Sequence, residues 1–319
     1  MMEREHKLAN LAFALVVVFH LAIVAVLTVV HILNPEFQLN IVVNLLLSEG
    51  LLILPGIIVM TIWNRKKESG DSFCQRIGFK KIKIRTILLT VLFTYLMMPL
   101  TTLLNLISML FVDNTVAGLN SQIIGMPFWL MYFLMAIYGP FCEEFVFRGV
   151  VHRGYRRRGA SFGALMLSSF LFAIMHMNLN QAMYAFAIGI ALGLLVEATG
   201  SVWPAFVCHL AFNGNSVMLM FLLKKIDPAA LADTSTENPE LEIMLVAILF
   251  LLLIALATTT LAGLVLYLIA KIEKRTDILK CMLPKKSKRG RGLISVSLIV
   301  GIVLAVGYII FDTVMSNIL

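Results

Sequence analysis

The chain has 319 residues, of which 60% are hydrophobic and only 14% are charged, and its formal net charge is +8. Soluble domains carry about 25% charged residues, so this composition and a mean hydropathy of +0.93 exclude a water-soluble fold. The values indicate a protein that crosses a membrane several times.

Nine apolar runs are each long enough to cross about 30 Å of hydrocarbon as a helix. The fold class predicted from them is all-α, a polytopic transmembrane helical bundle, because lipid leaves no other partner for backbone polar groups. We expect one membrane domain over 1–319, with a short, partly re-entrant sixth run and a retained first helix. The predicted runs are 9–33, 41–63, 86–112, 127–152, 160–178, 181–197, 201–223, 242–270 and 293–316.

The basic residues are distributed unevenly about these runs. All but three of the 26 Lys and Arg fall on one side if the runs alternate across the membrane. Most of them lie in two predicted cytoplasmic loops, 64–85 and 271–292. Cytoplasmic loops are enriched in Lys and Arg, which predicts a cytoplasmic N-terminus and a C-terminus outside. Topology and contact with the lipid bilayer account for the basic charge, so we expect no nucleic-acid partner. The short loops suit a bacterial plasma membrane.

Three charged residues stand inside the fourth run, in the stretch CEEFVFRG at 142–149. Glu144 and Arg148 are four residues apart with the acid first, the favourable order for an ion pair on one helix face. Glu143 points about 100° away from Glu144, so it cannot share this ion pair well. It needs a proton, a water molecule or a histidine as its partner. It is therefore the candidate general base. The alternative is that both glutamates lie in the headgroup region at a helix end.

Gly139 and Pro140 precede this stretch. Proline has no N–H to donate to the carbonyl of Ala136, so we expect a kink or a free carbonyl just before Glu143. Such a bend would open space beside the carboxylate.

A histidine one turn from a phenylalanine ends the fifth run, in FAIMHMN at 172–178. Phe172 shares a helix face with His176 and can restrict its ring. Counting about 1.5 Å per residue from the turn near 157–160, His176 and Glu143 reach similar depths on neighbouring helices. The alternative is a buried histidine with a structural hydrogen bond.

The seventh run contains HLAFN at 209–213, where His209 and Asn213 are again one turn apart. Two side-chain donors at this spacing can converge on one oxygen atom, as an oxyanion site requires. They could instead form interhelical hydrogen bonds. Together, the three helices carry the groups needed to hydrolyse an amide with water.

Other polar residues in the runs receive structural interpretations. We expect His20, His31 and Asp312 to be interhelical or interfacial. Glu49 either pairs within the bundle or lines a water path to the site. Cys142 and Cys208 are expected to pack, since no zinc-binding cysteine spacing exists.

The motifs Glu-Glu-x-x-x-Arg, Phe-x-x-x-His and His-x-x-x-Asn, in this order on successive membrane helices, resemble the CAAX-protease and bacteriocin-processing family of intramembrane proteases. The resemblance covers about 127–217, the predicted catalytic core helices, and implies an eight-helix core with an added C-terminal helix. It also implies an endopeptidase acting on a membrane-embedded or lipidated peptide or protein, in CAAX-type processing or peptide maturation.

The resemblance further implies roles for individual residues. Glu143 and His176 would activate water, and His209 and Asn213 would stabilise the oxyanion, with Glu144, Arg148 and Phe172 in support. A mechanism without a cofactor is favoured, because the HExxH motif of zinc proteases is absent. Zinc bound by Glu143, His176 and His209 is the alternative.

Two other functions fit the same residues. A proton-coupled transporter would use buried Glu and His as a relay, although no inverted repeat is evident. A non-catalytic bacteriocin self-immunity protein would use the same fold without needing Glu143.

Overall fold

The computed structural model describes residues 2–64, 73–112, 125–156, 162–226, 241–281 and 294–316. Within these ranges all regular secondary structure is helical, which confirms the all-α class. The helices are α1 (Met2–Leu33), α2 (Ile41–Asn64), α3 (Phe73–Ile77), α4 (Ile84–Ser108), α5 (Phe128–Arg156), α6 (Phe162–Ile174), α7 (Leu179–Thr199), α8 (Trp203–Ile226), α9 (Leu241–Ile272), α10 (Thr276–Cys281) and α11 (Val296–Ser316).

Eight of these helices are long and apolar enough to cross a membrane, so the predicted polytopic bundle is confirmed. The helices α5 and α7 are the most buried of the eight, whereas α9 exposes most of its apolar surface. Helices α5 and α7 take the central position for two reasons. Their polar residues are costly in lipid, and their small residues allow close contact with neighbouring helices.

The fifth predicted run differs from expectation. It contains α6, which has 13 residues and is therefore only about 20 Å long. Helix α6 ends at Ile174. The next helix begins after Asn178, whose side chain accepts a hydrogen bond from the backbone N–H of Gln181 and so caps it. The following helix, α7, has 21 residues. The prediction of a short sixth run was wrong, since the short helix is the fifth.

The helices α6 and α7 form an antiparallel hairpin. A Cβ added to Gly189 of α7 would lie 3.1 Å from the Cα of Ser169 in α6, so the two backbones meet closely. The tip of this hairpin is fixed to α4, because Asn180 donates to Asn105 Oδ1 and to Ser108 Oγ at 3.1 and 2.8 Å. The hairpin tip carries His176.

The helix α5 is not a regular α-helix. Two π-helical segments, Phe133–Tyr138 and Phe145–His152, flank an α-helical stretch at Gly139–Glu144. Single π-helical turns inside α-helices are frequent at functional sites. The change in pitch rotates the glutamates relative to the rest of α5, so their direction could not follow from counting 3.6 residues per turn.

Basic residues gather at one end of the bundle. Arg275 donates to the Glu197 carbonyl at 2.9 Å, Arg156 forms an ion pair with the Glu197 carboxylate at 2.7 Å, and Lys83 donates to the Ile272 carbonyl. These contacts bring Lys83, Arg156 and Arg275 to the same end of the bundle, which agrees with the predicted charge distribution, while the assignment of that end to the cytoplasm stays a prediction. The parts of the predicted basic segments at 65–72, 157–161 and 282–293 lie outside the described residues.

Candidate active site

Glu144 is the fully buried centre of a charged network. Its Oε1 lies 3.2 Å from Nη1 of Arg148, one turn later on α5, as the four-residue spacing predicts. The same oxygen lies 3.0 Å from Nδ1 of His209 on α8, whose N–H donates to it. Glu144 therefore joins α5 to α8 and fixes the orientation of the imidazole. The sequence predicted Arg148 as a partner of Glu144 but did not predict His209.

Glu143 faces the other nitrogen of the same imidazole. Its Oε2 lies 3.9 Å from Nε2 of His209, which is too long for a direct hydrogen bond. This oxygen is inaccessible to solvent and has no hydrogen-bond partner among the described residues, and the side chain is only 10% exposed. The two adjacent glutamates thus contact opposite sides of His209, one as a firm partner and one at longer range.

The ring of Phe172 is the shared wall of the site. The Arg148 guanidinium carbon lies 4.1 Å from its centroid, a cation–π contact. The rings of His176 and His209 meet it edge-on, with centroids 5.0 and 5.9 Å away. Phe172 therefore holds both histidines against one surface, and its predicted packing against His176 is confirmed.

His176 lies just beyond α6, in the turn at the hairpin tip. Its Nδ1 donates to the Phe172 carbonyl at 2.9 Å, which leaves Nε2 as the free nitrogen. The next residue, Met177, is buried with a φ of 52°, a strained backbone state for a residue with a side chain. His176 and Glu143, both described, share no hydrogen bond or ion pair in the structure.

Asn213 binds the backbone of α5 through its side chain. Its Nδ2 donates to the carbonyl of Met135 at 3.0 Å. In the π-helical register the Gly139 N–H bonds to Leu134, and the next N–H in line for Met135 would come from Pro140, which has none. The proline does free a carbonyl, but the prediction of Ala136 was wrong, because it assumed an α-helical register.

The structure thus brings Glu143, Glu144 and His209 into direct proximity and links His176 to them through Phe172. Asn213 stands one turn beyond His209 on α8, with one amide hydrogen committed to α5. The predicted residues share one region of the bundle, although their hydrogen bonds run to partners that the motifs did not indicate.

The alternative zinc ligands are Glu143, His176 and His209. Across the described ranges, no group of three His, Cys, Asp or Glu side chains lies close enough together to hold a metal ion. Nδ1 of His176 and Nδ1 of His209 are each committed to an oxygen acceptor, an arrangement that is also usual for histidines that bind a metal through Nε2. Glu143, His176 and His209 form no three-ligand group in the structure, and the mechanism without a metal stays a prediction.

A second buried polar cluster lies toward the basic end of the bundle, and it was not predicted from the sequence. His152 contacts Ser168 Oγ at 2.8 Å and Glu197 Oε1 at 3.0 Å, and Glu197 also binds Arg156. This cluster ties α5, α6 and α7 together. The sequence signal was available, since Arg148, His152 and Arg156 are spaced four residues apart.

Fold and site together define an integral membrane protein with a buried carboxylate–histidine network between its central helices. Residues 125–214 match the family described as "Type II CAAX prenyl endopeptidase Rce1-like". This match confirms, for that segment, the family resemblance predicted from the three motifs.

One named relative matches part of this chain. The chain is 30% identical over 90 residues to a Bacillus subtilis (strain 168) protein named "Putative membrane peptidase YdiL". The match spans 28% of this chain and 37% of that relative's length, so it concerns a shared segment. No solved structure gives a significant match.

Proposed function

We propose that the chain is an intramembrane endopeptidase, which hydrolyses a peptide bond of a membrane-embedded or lipidated peptide or protein. One observation carries the proposal. Glu143 holds a buried carboxylate oxygen without a hydrogen-bond partner, 3.9 Å from a histidine nitrogen, within the segment that matches a peptidase family. A carboxylate oxygen without a hydrogen bond is costly inside a membrane, so this residue is a functional candidate by default.

In this proposal Glu143 is the general base. It takes a proton from water as the water oxygen bonds to the substrate carbonyl carbon. A separation of 3.9 Å between Glu143 and His209 lets one water or substrate oxygen contact both groups. The network of Glu144 and Arg148 keeps His209 from turning away.

His176 serves as the proton partner. Its Nδ1–H is committed to the Phe172 carbonyl, so Nε2 keeps the lone pair that can take a proton. We propose that Nε2 first accepts a hydrogen bond from the water, then receives the proton that Glu143 has taken, and passes this proton to the leaving amine. Catalytic hydrogen bonds are often long before substrate binds, and the hairpin tip is the part that must close on Glu143.

His209 and Asn213 serve as the oxyanion site. Nδ1–H of His209 donates to a carboxylate, so in this proposal His209 takes a second proton from solvent before the reaction. Its Nε2–H then donates to the developing negative charge. Asn213 donates one amide hydrogen to the Met135 carbonyl. Its other amide hydrogen can donate to the oxyanion that His209 also contacts.

Cleavage of defined peptides in vesicles tests the proposal. The purified chain is reconstituted with a single-span peptide, and separately with the same peptide carrying an isoprenylated cysteine, and products are identified by mass spectrometry. We expect cleavage by the parent chain and its loss in Glu143→Ala and in His176→Ala. Glu242→Ala, at an exposed position at the start of α9, is the matched control and should cleave normally.

Other outcomes identify the competing functions. If both variants cleave like the parent, the proposed mechanism fails. Substrate-dependent proton flux without cleavage would indicate a transporter. Protection against a bacteriocin that survives Glu143→Gln would indicate a non-catalytic immunity protein.

A further inference from the structure

His152 is a buried histidine that the proposed mechanism does not use. It is the last residue of the second π-helical segment of α5, and its side chain is 1% exposed. Its Nδ1 lies 2.8 Å from Ser168 Oγ on α6, and its Nε2 lies 3.0 Å from Glu197 Oε1 on α7. One side chain of α5 is therefore hydrogen-bonded to both helices of the hairpin that carries His176.

The neighbouring groups assign the direction of these two hydrogen bonds. Arg156 lies 2.7 Å from the other carboxyl oxygen of Glu197, so Glu197 is a carboxylate that accepts from Nε2–H of His152. Nδ1 of His152 then keeps a lone pair for the Ser168 hydroxyl, whose distance to the Leu165 carbonyl is longer, at 3.1 Å. Ser168 thus donates to His152, and His152 donates to Glu197.

The contact of His152 with Ser168 is followed by a second contact between α5 and α6, one helical turn away. Four residues along each helix from the first pair lie Arg148 and Phe172. The Arg148 guanidinium carbon is 4.1 Å from the Phe172 ring centroid. Residue numbers fall on α5 as they rise on α6, so the helices run in opposite directions. Equal steps from a bonded pair therefore reach a similar depth on both helices.

One more step of four residues reaches the candidate active site. It leads from Arg148 to Glu144 on α5, and from Phe172 to His176 beyond the end of α6. The His176 ring packs edge-on against Phe172, with 5.0 Å between the ring centroids. The bonded pair near the basic end thus belongs to the register that brings His176 level with Glu144 and its neighbour Glu143.

We propose that His152 is a positioning residue, which sets the register of the α6–α7 hairpin against α5. Its bond to Ser168 fixes α6 and its bond to Glu197 fixes α7, so the hairpin cannot slide along α5 without breaking both. A slip of one residue would move His176 by about 1.5 Å, and a misplacement of about 1 Å can lower a catalytic rate about 10²-fold. This catalytic consequence rests on the proposed function, whereas the register does not.

Hydrogen exchange tests the register without any activity. Exchange of backbone amides in lipid nanodiscs is measured by mass spectrometry, and it reports local opening of a segment. We expect His152→Ala to exchange faster at the hairpin tip, 172–178, although the tip lies up to ten residues from Ser168. Ser168→Ala, which removes only one of the two bonds, should show a smaller increase at the same place and provides the test if His152→Ala does not fold.

Tyr155→Phe is the matched control for hydrogen exchange. It removes the buried hydrogen bond from Tyr155 to Asn10 on α1, near the same end of α5 but outside the hairpin. It should leave exchange at 172–178 unchanged. Tip exchange that stays at the parent value in His152→Ala and Ser168→Ala, or that rises equally in Tyr155→Phe, overturns the proposal.

The kinetics of peptide cleavage are the second readout. His152→Ala should lower kcat about 10²-fold with little change in KM, because it displaces His176 and removes no group that contacts the substrate. Glutamine can donate to Glu197 and accept from Ser168, so His152→Gln should recover most of the lost rate, and Tyr155→Phe should keep the parent kcat.

Two kinetic outcomes overturn the positioning role of His152. One is a rate in His152→Gln as low as in His152→Ala, and the other is a raised KM with an unchanged kcat in His152→Ala. If the parent cleaves no peptide, the proposed function fails, and hydrogen exchange alone decides the register.

Discussion

Glu144 Oε1 and His209 Nδ1 lie 3.0 Å apart, across the contact between α5 and α8. The adjacent Glu143 lies 3.9 Å from the other nitrogen of the same ring. Two consecutive glutamates therefore have different roles: one holds the histidine and the buried arginine, and the other lies near the histidine without a hydrogen bond. The difference arises from their roughly 100° separation around the helix, and it yields opposite expectations for matched substitutions.

Replacing each glutamate with glutamine separates these roles. Glu144→Gln should destabilise the fold by about 3 kcal/mol, because it leaves Arg148 buried without a counterion. Glu143→Gln should abolish cleavage while unfolding at the parent temperature, since its Oε2 makes no hydrogen bond. Thermal unfolding in detergent and peptide cleavage are measured on both. Equal stability losses would contradict the assignment.

Asn213 and Pro140 should be coupled through the Met135 carbonyl. Asn213→Ala leaves this acceptor unpaired, which costs about 1–3 kcal/mol. Pro140→Ala supplies an N–H that can reach the same carbonyl, so the second substitution should reduce the cost of the first. Unfolding temperatures of the parent, both single variants and the double variant measure the coupling.

Cleavage by the same variants distinguishes a catalytic role of Asn213 from a structural one. If Asn213 also donates to the oxyanion, Asn213→Ala should lower the cleavage rate by about 10²–10³-fold, and Pro140→Ala should not restore it. Recovery of cleavage along with stability would mean that Asn213 acts only through the backbone of α5.

Asn180 should control the position of His176. Asn180→Leu removes two hydrogen bonds that fix the hairpin tip to α4, so both stability and cleavage should fall. Asn10→Leu is the control, because Asn10 also makes two interhelical hydrogen bonds, to Ser295 and from Tyr155, near the basic end. It should lose similar stability, about 1–3 kcal/mol, but keep its activity per folded molecule. Equal activity in the two variants would argue against a positioning role.

Metal removal should leave cleavage unchanged. The HExxH motif of zinc proteases is absent from the sequence, and the side chains of Glu143, His176 and His209 do not form a three-ligand set in the structure. Cleavage is measured before and after prolonged treatment with a strong chelator. Loss of activity that returns on addition of zinc would overturn the metal-independent mechanism.

The sequence alone determined what depends on neighbours along the chain. Run length and hydrophobicity predicted a helical membrane bundle, because lipid forces the backbone to bond within its own segment. Four-residue spacing predicted the pair of Glu144 with Arg148 and the packing of Phe172 on His176, because one turn of helix fixes both distances.

The tertiary structure decided what depends on the rotation and depth of one helix against another. It joined His209 to Glu144, gave Asn213 the Met135 carbonyl and set Glu49 against Gly139. The π-helical segments of α5 changed the register on which counting residues relied, and α6 ended at Ile174, before the Asn178 cap of α7. Contacts between distant segments follow from how the helices pack, and periodicity within one helix does not contain that information.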